Sequence, residues 1–101
     1  MKTPHSPDRL WTLSGFERHF DLWITTESPD QDLINLVGAW MLTRFEDPYQ
    51  GVRREAGFPN LWWGQVPLSL RDESVVVCSY FVYEHQRTVS CNSIATLSQP
   101  I

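Results

Sequence analysis

The segment SVVVCSYFVYE, residues 74–84, limits the fold more than any other part of the chain. Val75 to Val82 is an unbroken run of apolar or small side chains, and it predicts the most buried strand of the protein. EHQR then turns the chain, and TVSCNSIATL over 88–97 returns as the last strand of an antiparallel hairpin. A two-residue His85-Gln86 turn sets Tyr80 opposite Cys91 and Cys78 opposite Ser93. The cysteines are then diagonal neighbours about 7–8 Å apart, too far for an unstrained disulfide. A turn at Glu84-His85 would instead place them face to face. Two small buried hydrophobes is the plainer reading of the pair.

Upstream, FERHFDLWITTE (16–27) has Phe16, Phe20, Leu22 and Ile24 on even positions and Glu17, His19, Asp21, Thr25 and Glu27 on odd ones. This period of two predicts a strand with one buried face, although Trp23 interrupts the polar side and Arg18 the apolar side. Ser28-Pro29-Asp30-Gln31 then has the form of a capping box, with proline at the first helical position. Leu33, Leu36, Val37, Trp40 and Met41 recur at helical spacing. The helix is expected to stop before Pro48, after roughly 18 residues or about 27 Å. PYQGVRREAGFPN (48–60) reads as a connection, LWWGQVP (61–67) as a strand and SLRDES (69–74) as a turn. Residues 1–15 read as an N-terminal arm, 16–97 as a single domain and 98–101 as a tail. The fold class is therefore α+β: one main amphipathic helix packed on a twisted antiparallel sheet of about four strands.

Two adjacent tryptophans in an extended segment point to opposite faces of a sheet. Leu61, Trp63 and Gln65 share one face of LWWGQVP, and Trp62, Gly64 and Val66 share the other. One indole joins the core beneath the helix; the other needs the arm, the protein's own edge or a partner. Trp11 and Leu13 of the arm are candidates to cover it. If a partner does so, Trp62, Trp63, Trp11 and Trp23 are the candidate binding residues, since clustered exposed aromatics mark interfaces.

A chain of 101 residues fits one domain with a core of its own. Its net charge of −4 argues against general nucleic-acid binding, which shows as a basic face. The two cysteines lack metal-type spacing, and His5, His19 and His85 are scattered, so no metal and no cofactor is expected. Cys78 lies in the most apolar run, where burial keeps a thiol inert. No phosphate loop, dinucleotide fingerprint or nucleophile elbow occurs. The polar, proline-containing MKTPHSPDRLW has neither the form of a signal peptide nor that of a membrane span, and a cytoplasmic protein is expected.

The helix ending in RFEDPYQGVRR (44–54), the extended LWWGQVP and the pair VVVCSYFVYE and TVSCNSIATL are similar to the pattern of the RelE/ParE-type bacterial toxins over about residues 16–97. The resemblance implies a small α+β protein whose helical part precedes the sheet, with a protein antitoxin laid over the sheet or helices. RelE-like members cut messenger RNA and carry basic residues on the central strands. Here those strands offer Gln65, Ser79 and Tyr83, with no Lys or Arg. A ribonuclease would have to assemble Arg53, Arg54, Arg71, His85 and Arg87, to activate a 2′-hydroxyl and to stabilise phosphorane charge. ParE-like members act by binding a protein target, which asks only for a surface. The leading expectation is a toxin-like protein acting mainly by binding and neutralised by an antitoxin. The alternative is a non-toxin interaction module or inhibitor encoded by a phage or mobile element, and a ribosome-dependent or free ribonuclease is third. A protein partner is expected in the first two cases, and a homodimer is open to either.

Overall fold

The computed structural model describes residues 10–98. The chain forms strand β1 (Thr12–Ser14), helix α1 (Phe16–Glu27), helix α2 (Gln31–Leu42) with a 3₁₀ turn at Thr43–Phe45, and strands β2 (Arg53–Arg54), β3 (Leu61–Gln65), β4 (Ser74–Tyr83) and β5 (Thr88–Ser98). The strands make one sheet in the order β1-β5-β4-β3-β2. β1 runs parallel to β5, and all other pairs are antiparallel. The class is α+β, but the sheet is mixed and has five strands among the described residues, and two helices pack on it where one was expected. His5, the first part of the expected arm and the end of the expected tail lie outside the described residues.

The main correction concerns residues 16–27, which are helical. Phe16, Phe20 and Ile24 stand four apart, a spacing that satisfies a strand's period of two and a helix's 3.6 equally well. The residues between them decide. Trp23 is 2% exposed and Leu22 is 60% exposed, so the helical stripe Phe16–Phe20–Trp23 is the buried one. The Trp23 indole donates to the Thr96 hydroxyl at 3.0 Å, which ties α1 to β5. Gly15 opens the helix with φ 77°, a left-handed conformation that glycine adopts without strain.

Ser28 closes α1 by donating its N–H to the Ile24 carbonyl, and does not cap the next helix. Asp30 takes that role, its side chain accepting from the Leu33 N–H at 2.9 Å. Leu33, Val37 and Met41 give α2 its buried face. The regular helix ends at Leu42, earlier than expected. There the Thr43 hydroxyl bonds the Trp40 carbonyl at 2.6 Å, and the tightened turn carries Arg44 into the interior.

The stretch expected as an arm supplies structure from Trp11 onward. Trp11 is buried, its N–H donating to the Phe45 carbonyl, and the Thr12 N–H donates to the Arg87 carbonyl. The hairpin keeps the expected Tyr80–Cys91 pairing, around a four-residue turn at 84–87. Beyond it a bulge inserts Asn92, so that Cys78 faces Ile94 and not Ser93. The insertion flips the parity of β5: Val89 and Cys91 point inward before it, Ile94 after it. Both cysteines are free thiols in the core. Among the described residues, no helix is long and apolar enough to cross a membrane.

If residues 16–27 pack as a helix, Trp23→Ala should cost about 3–5 kcal/mol. Leu22→Ala should change stability by less than about 0.5 kcal/mol. Denaturant unfolding of both variants checks this, and a strand would reverse the order.

Candidate functional site

Alternation along β3 and β4 gives the sheet two unlike faces. On the inner face Val76, Cys78, Tyr80 and Val82 of β4 meet Phe16, Trp23, Val37 and Met41 of the helices in one hydrophobic core. Trp62 belongs to this side. Its ring packs edge-on against Tyr49 at 4.9 Å, and Tyr49 stands 6.0 Å from Trp11. Arg87 lies over the Trp11 ring at 4.4 Å. The loop from α2 approaches β3 closely at Gly64, where a Cβ would come within 2.8 Å of the Val52 side chain.

Trp63 points the other way, onto an outer face that neither α1 nor α2 covers. It is half-buried, and the Arg53 guanidinium from the neighbouring edge strand lies over its ring at 5.0 Å. The protein's own edge thus partly shields the second indole, while Tyr49, flanked by Trp11, packs on Trp62 at the inner side. Of the four tryptophans expected at a partner surface, Trp11 and Trp23 are core residues, Trp62 is half-buried on the inner face, and Trp63 alone is on the outer one.

The outer face continues across β4 and β5. Phe81 and Tyr83 stack at 6.3 Å beside Leu61. Val77 pairs with Ala95, and Val75 with Leu97, at the far end. Between these apolar ends, the Ser79 and Ser93 hydroxyls bond at 2.9 Å and the Asn92 amide donates to Ser79 at 3.0 Å. The odd-numbered positions of β3 and β4, with their partners in β5, include no Asp, Glu, Lys, Arg or His. A solvated sheet face ordinarily carries charged as well as polar residues; this one has polar Gln65, Ser79, Thr88, Ser90 and Ser93 among its apolar groups but no charge from these three strands.

The five residues expected in a ribonuclease do not come together. Arg71 precedes β4, and His85 and Arg87 follow it, so ten residues of strand separate them, roughly 33 Å. Arg71 donates to the carbonyls of Leu68 and Leu70, fixing its own turn. Arg54 donates to the Phe58 carbonyl at 3.3 Å. Arg53 is stacked on Trp63, and Arg87 on Trp11. Among the described residues, no group of three His, Cys, Asp or Glu side chains could hold a metal ion.

The titratable groups with shifted pKa values belong to the interior and its rim. Arg44 is 2% exposed and donates to the Gln50 carbonyl at 2.9 Å, the Tyr80 hydroxyl at 3.0 Å and the Thr43 hydroxyl. It also stacks on Trp40 at 4.3 Å. Tyr80 in turn donates to the Pro48 carbonyl. Burial pushes Tyr80 up to about 12 against the lowering pull of Arg44. Burial and a hydrogen bond to Glu84 push Tyr49 up as well. A hydrogen bond with Cys91, with burial added, pushes the Cys78 thiol up and away from the reactive thiolate. No sequence signal marks Arg44 as buried, because a cation just after a helix is ordinarily a surface complement to its dipole.

Comparison with protein-family models, with curated proteins and with solved structures finds no match to this chain.

The folded chain holds the Tyr80 proton more tightly than the unfolded chain does. Stability linked to this group is complete below the unfolded value near 10 and is lost as the pH rises through the folded value of about 12. The loss should be on the order of 2–3 kcal/mol. Tyr80→Phe should lower stability at neutral pH by about 1–3 kcal/mol, since Arg44 and Pro48 lose a partner, and should remove this part of the alkaline loss. Guanidinium melts of both proteins at several pH values check the difference.

Proposed function

We propose that the protein works by binding, with the outer face of its sheet as the docking surface for a protein partner. The single observation that carries this is a face of three strands, β3, β4 and β5, that holds Trp63, Phe81, Tyr83 and Leu61 and contributes no charged side chain, with Arg53 of the edge strand stacked on Trp63 at its border. Aromatic groups of this kind, surrounded by near-neutral contacts, are what hot spots are made of. A partner suited to the face offers apolar side chains and uncharged hydrogen-bonding groups, because a charge buried over β3, β4 and β5 would find no counter-charge on those strands.

The resemblance to RelE/ParE-type toxins gives this reading a concrete form: a toxin-like protein that captures a cellular protein target and is silenced by an antitoxin. The element order favours it, since two helices precede the strands β2 to β5. Catalysis has no part in the proposal. Arg54, Arg71 and His85 act as turn and edge residues, with two of these side chains bonded to backbone carbonyls.

Inducing the chain in a bacterial culture should arrest growth while total RNA stays intact. Trp63→Ala should relieve the arrest and leave the circular dichroism and melting unchanged. A triple Arg54→Ala, Arg71→Ala, His85→Ala variant should arrest growth as the parent does. Cleaved RNA would overturn the binding mechanism, and absence of arrest would overturn its toxin-like form.

A further inference from the structure

We infer that a second copy of this chain covers the outer face when no other partner is present, giving a symmetric dimer packed sheet on sheet. The inference rests on the reading of that face as a docking surface and names its occupant. Three features of the face suit its own copy.

The first is where the charge lies. The protein carries a net charge of −4, so a contact surface free of acidic groups avoids adding local repulsion between two copies. The exposed side of α1 carries Glu17, Arg18 and Asp21, and the ends of the hairpin carry Asp72, Glu73 and Glu84. The outer positions of β3, β4 and β5 carry none of it.

The second is the chemistry at the centre of the face. Ser79, Ser93 and Asn92 form a small cluster of groups that donate and accept equally well. A two-fold axis passing near them brings each group against groups of the same kind, and such groups satisfy one another. An isologous interface needs this self-complementarity.

The third is size. β4 is ten residues long, roughly 33 Å, and three strands side by side span about 14 Å. With β5 of eleven residues and β3 of only five, the flat footprint is on the order of 400 Å² per copy. Side-chain relief enlarges the area removed from water and brings the two copies together toward the roughly 1,000 Å² that a specific interface requires. Two twisted sheets of this kind pack face to face at about 30°, about 10 Å apart.

Sedimentation velocity of the full chain tests this. The expected species has twice the single-chain mass of 11.8 kDa. Because β3, β4 and β5 bring no charge to the joined faces and Arg53 at the border is stacked on Trp63, its dissociation constant should change less than about threefold between 0.05 and 1 M NaCl. Val77→Glu and, independently, Ser93→Arg put a charge into half-buried positions of the face, and each should give a monomer with unchanged circular dichroism. Thr25→Glu, on the exposed side of α1, should leave the dimer intact. A parent protein that sediments as a monomer at about 100 μM would overturn the inference. A dimer that survives both face variants would do the same, since it must then use another surface. The functional reading is judged separately, by whether Trp63→Ala relieves growth arrest. A monomeric parent with relief by Trp63→Ala sinks the second copy alone, and an intact dimer without relief sinks the function alone.

Discussion

A single buried guanidinium holds the two layers of this protein in register. Arg44 leaves the end of α2, stacks on Trp40, and reaches the Tyr80 hydroxyl at the middle of the most buried strand. Tyr80 passes the connection on to the Pro48 carbonyl, while Arg44 also holds the Gln50 carbonyl. Helix end, loop and central strand thus share one hydrogen-bonded knot. A buried cation without a counter-ion is expensive, and here the cost is met by neutral acceptors, an aromatic face and the negative end of α2. Removal of Arg44 would leave the Gln50 carbonyl and the Tyr80 hydroxyl short of a donor in the core, whereas removal of the Tyr80 hydroxyl leaves Arg44 its bonds to Gln50 and Thr43. That dependence explains why the loop over 46–52, which has no regular structure, still delivers β2 and Arg53 to the edge beside Trp63.

The bulge at Asn92 does a second job of alignment. Without it, the inward parity of Val89 and Cys91 would carry on to Ser93 and Ala95, and Ile94 would face outward. The extra residue restores an apolar side chain to the core beneath α1. It also brings Asn92 and Ser93 to Ser79, where they make the only polar cluster described on the outer face. One insertion therefore finishes the core on one side and sets the hydrogen-bonding character of the other.

The sequence was most legible where its signals are local. The opposite facing of Trp62 and Trp63 follows from a period of two, the burial of β4 from its continuous apolar run, and the Tyr80–Cys91 pairing from where the hairpin turn falls; all three are local. Alternation misled at Phe16, Phe20 and Ile24, whose spacing fits two periods at once. Trp23 was the side chain that distinguished them. β1 carried no local signal, because three residues pair with a strand near the other end of the chain. Arg44 was hidden for a related reason: its burial depends on Tyr80 and Gln50, which approach only in the folded state. The proposed docking surface was half legible, since pattern gave the face of Trp63 but not the burial of Trp11 and Trp23.

The pairing of β1 with β5 also sets an order of events during synthesis. Trp11 and Thr12 leave the ribosome early, yet their hydrogen-bond partners include the Arg87 carbonyl, and β1 joins Thr88–Ser90. Until that last strand emerges, an indole and a strand edge stay uncovered, and the helices have no β5 to pack against. The sheet therefore closes as a late, nearly whole-chain event with high contact order, which makes folding slow for a protein of this size. A nascent chain stalled before residue 88 would hold most of its core residues without the surface that organises them, and would be a natural client for chaperones.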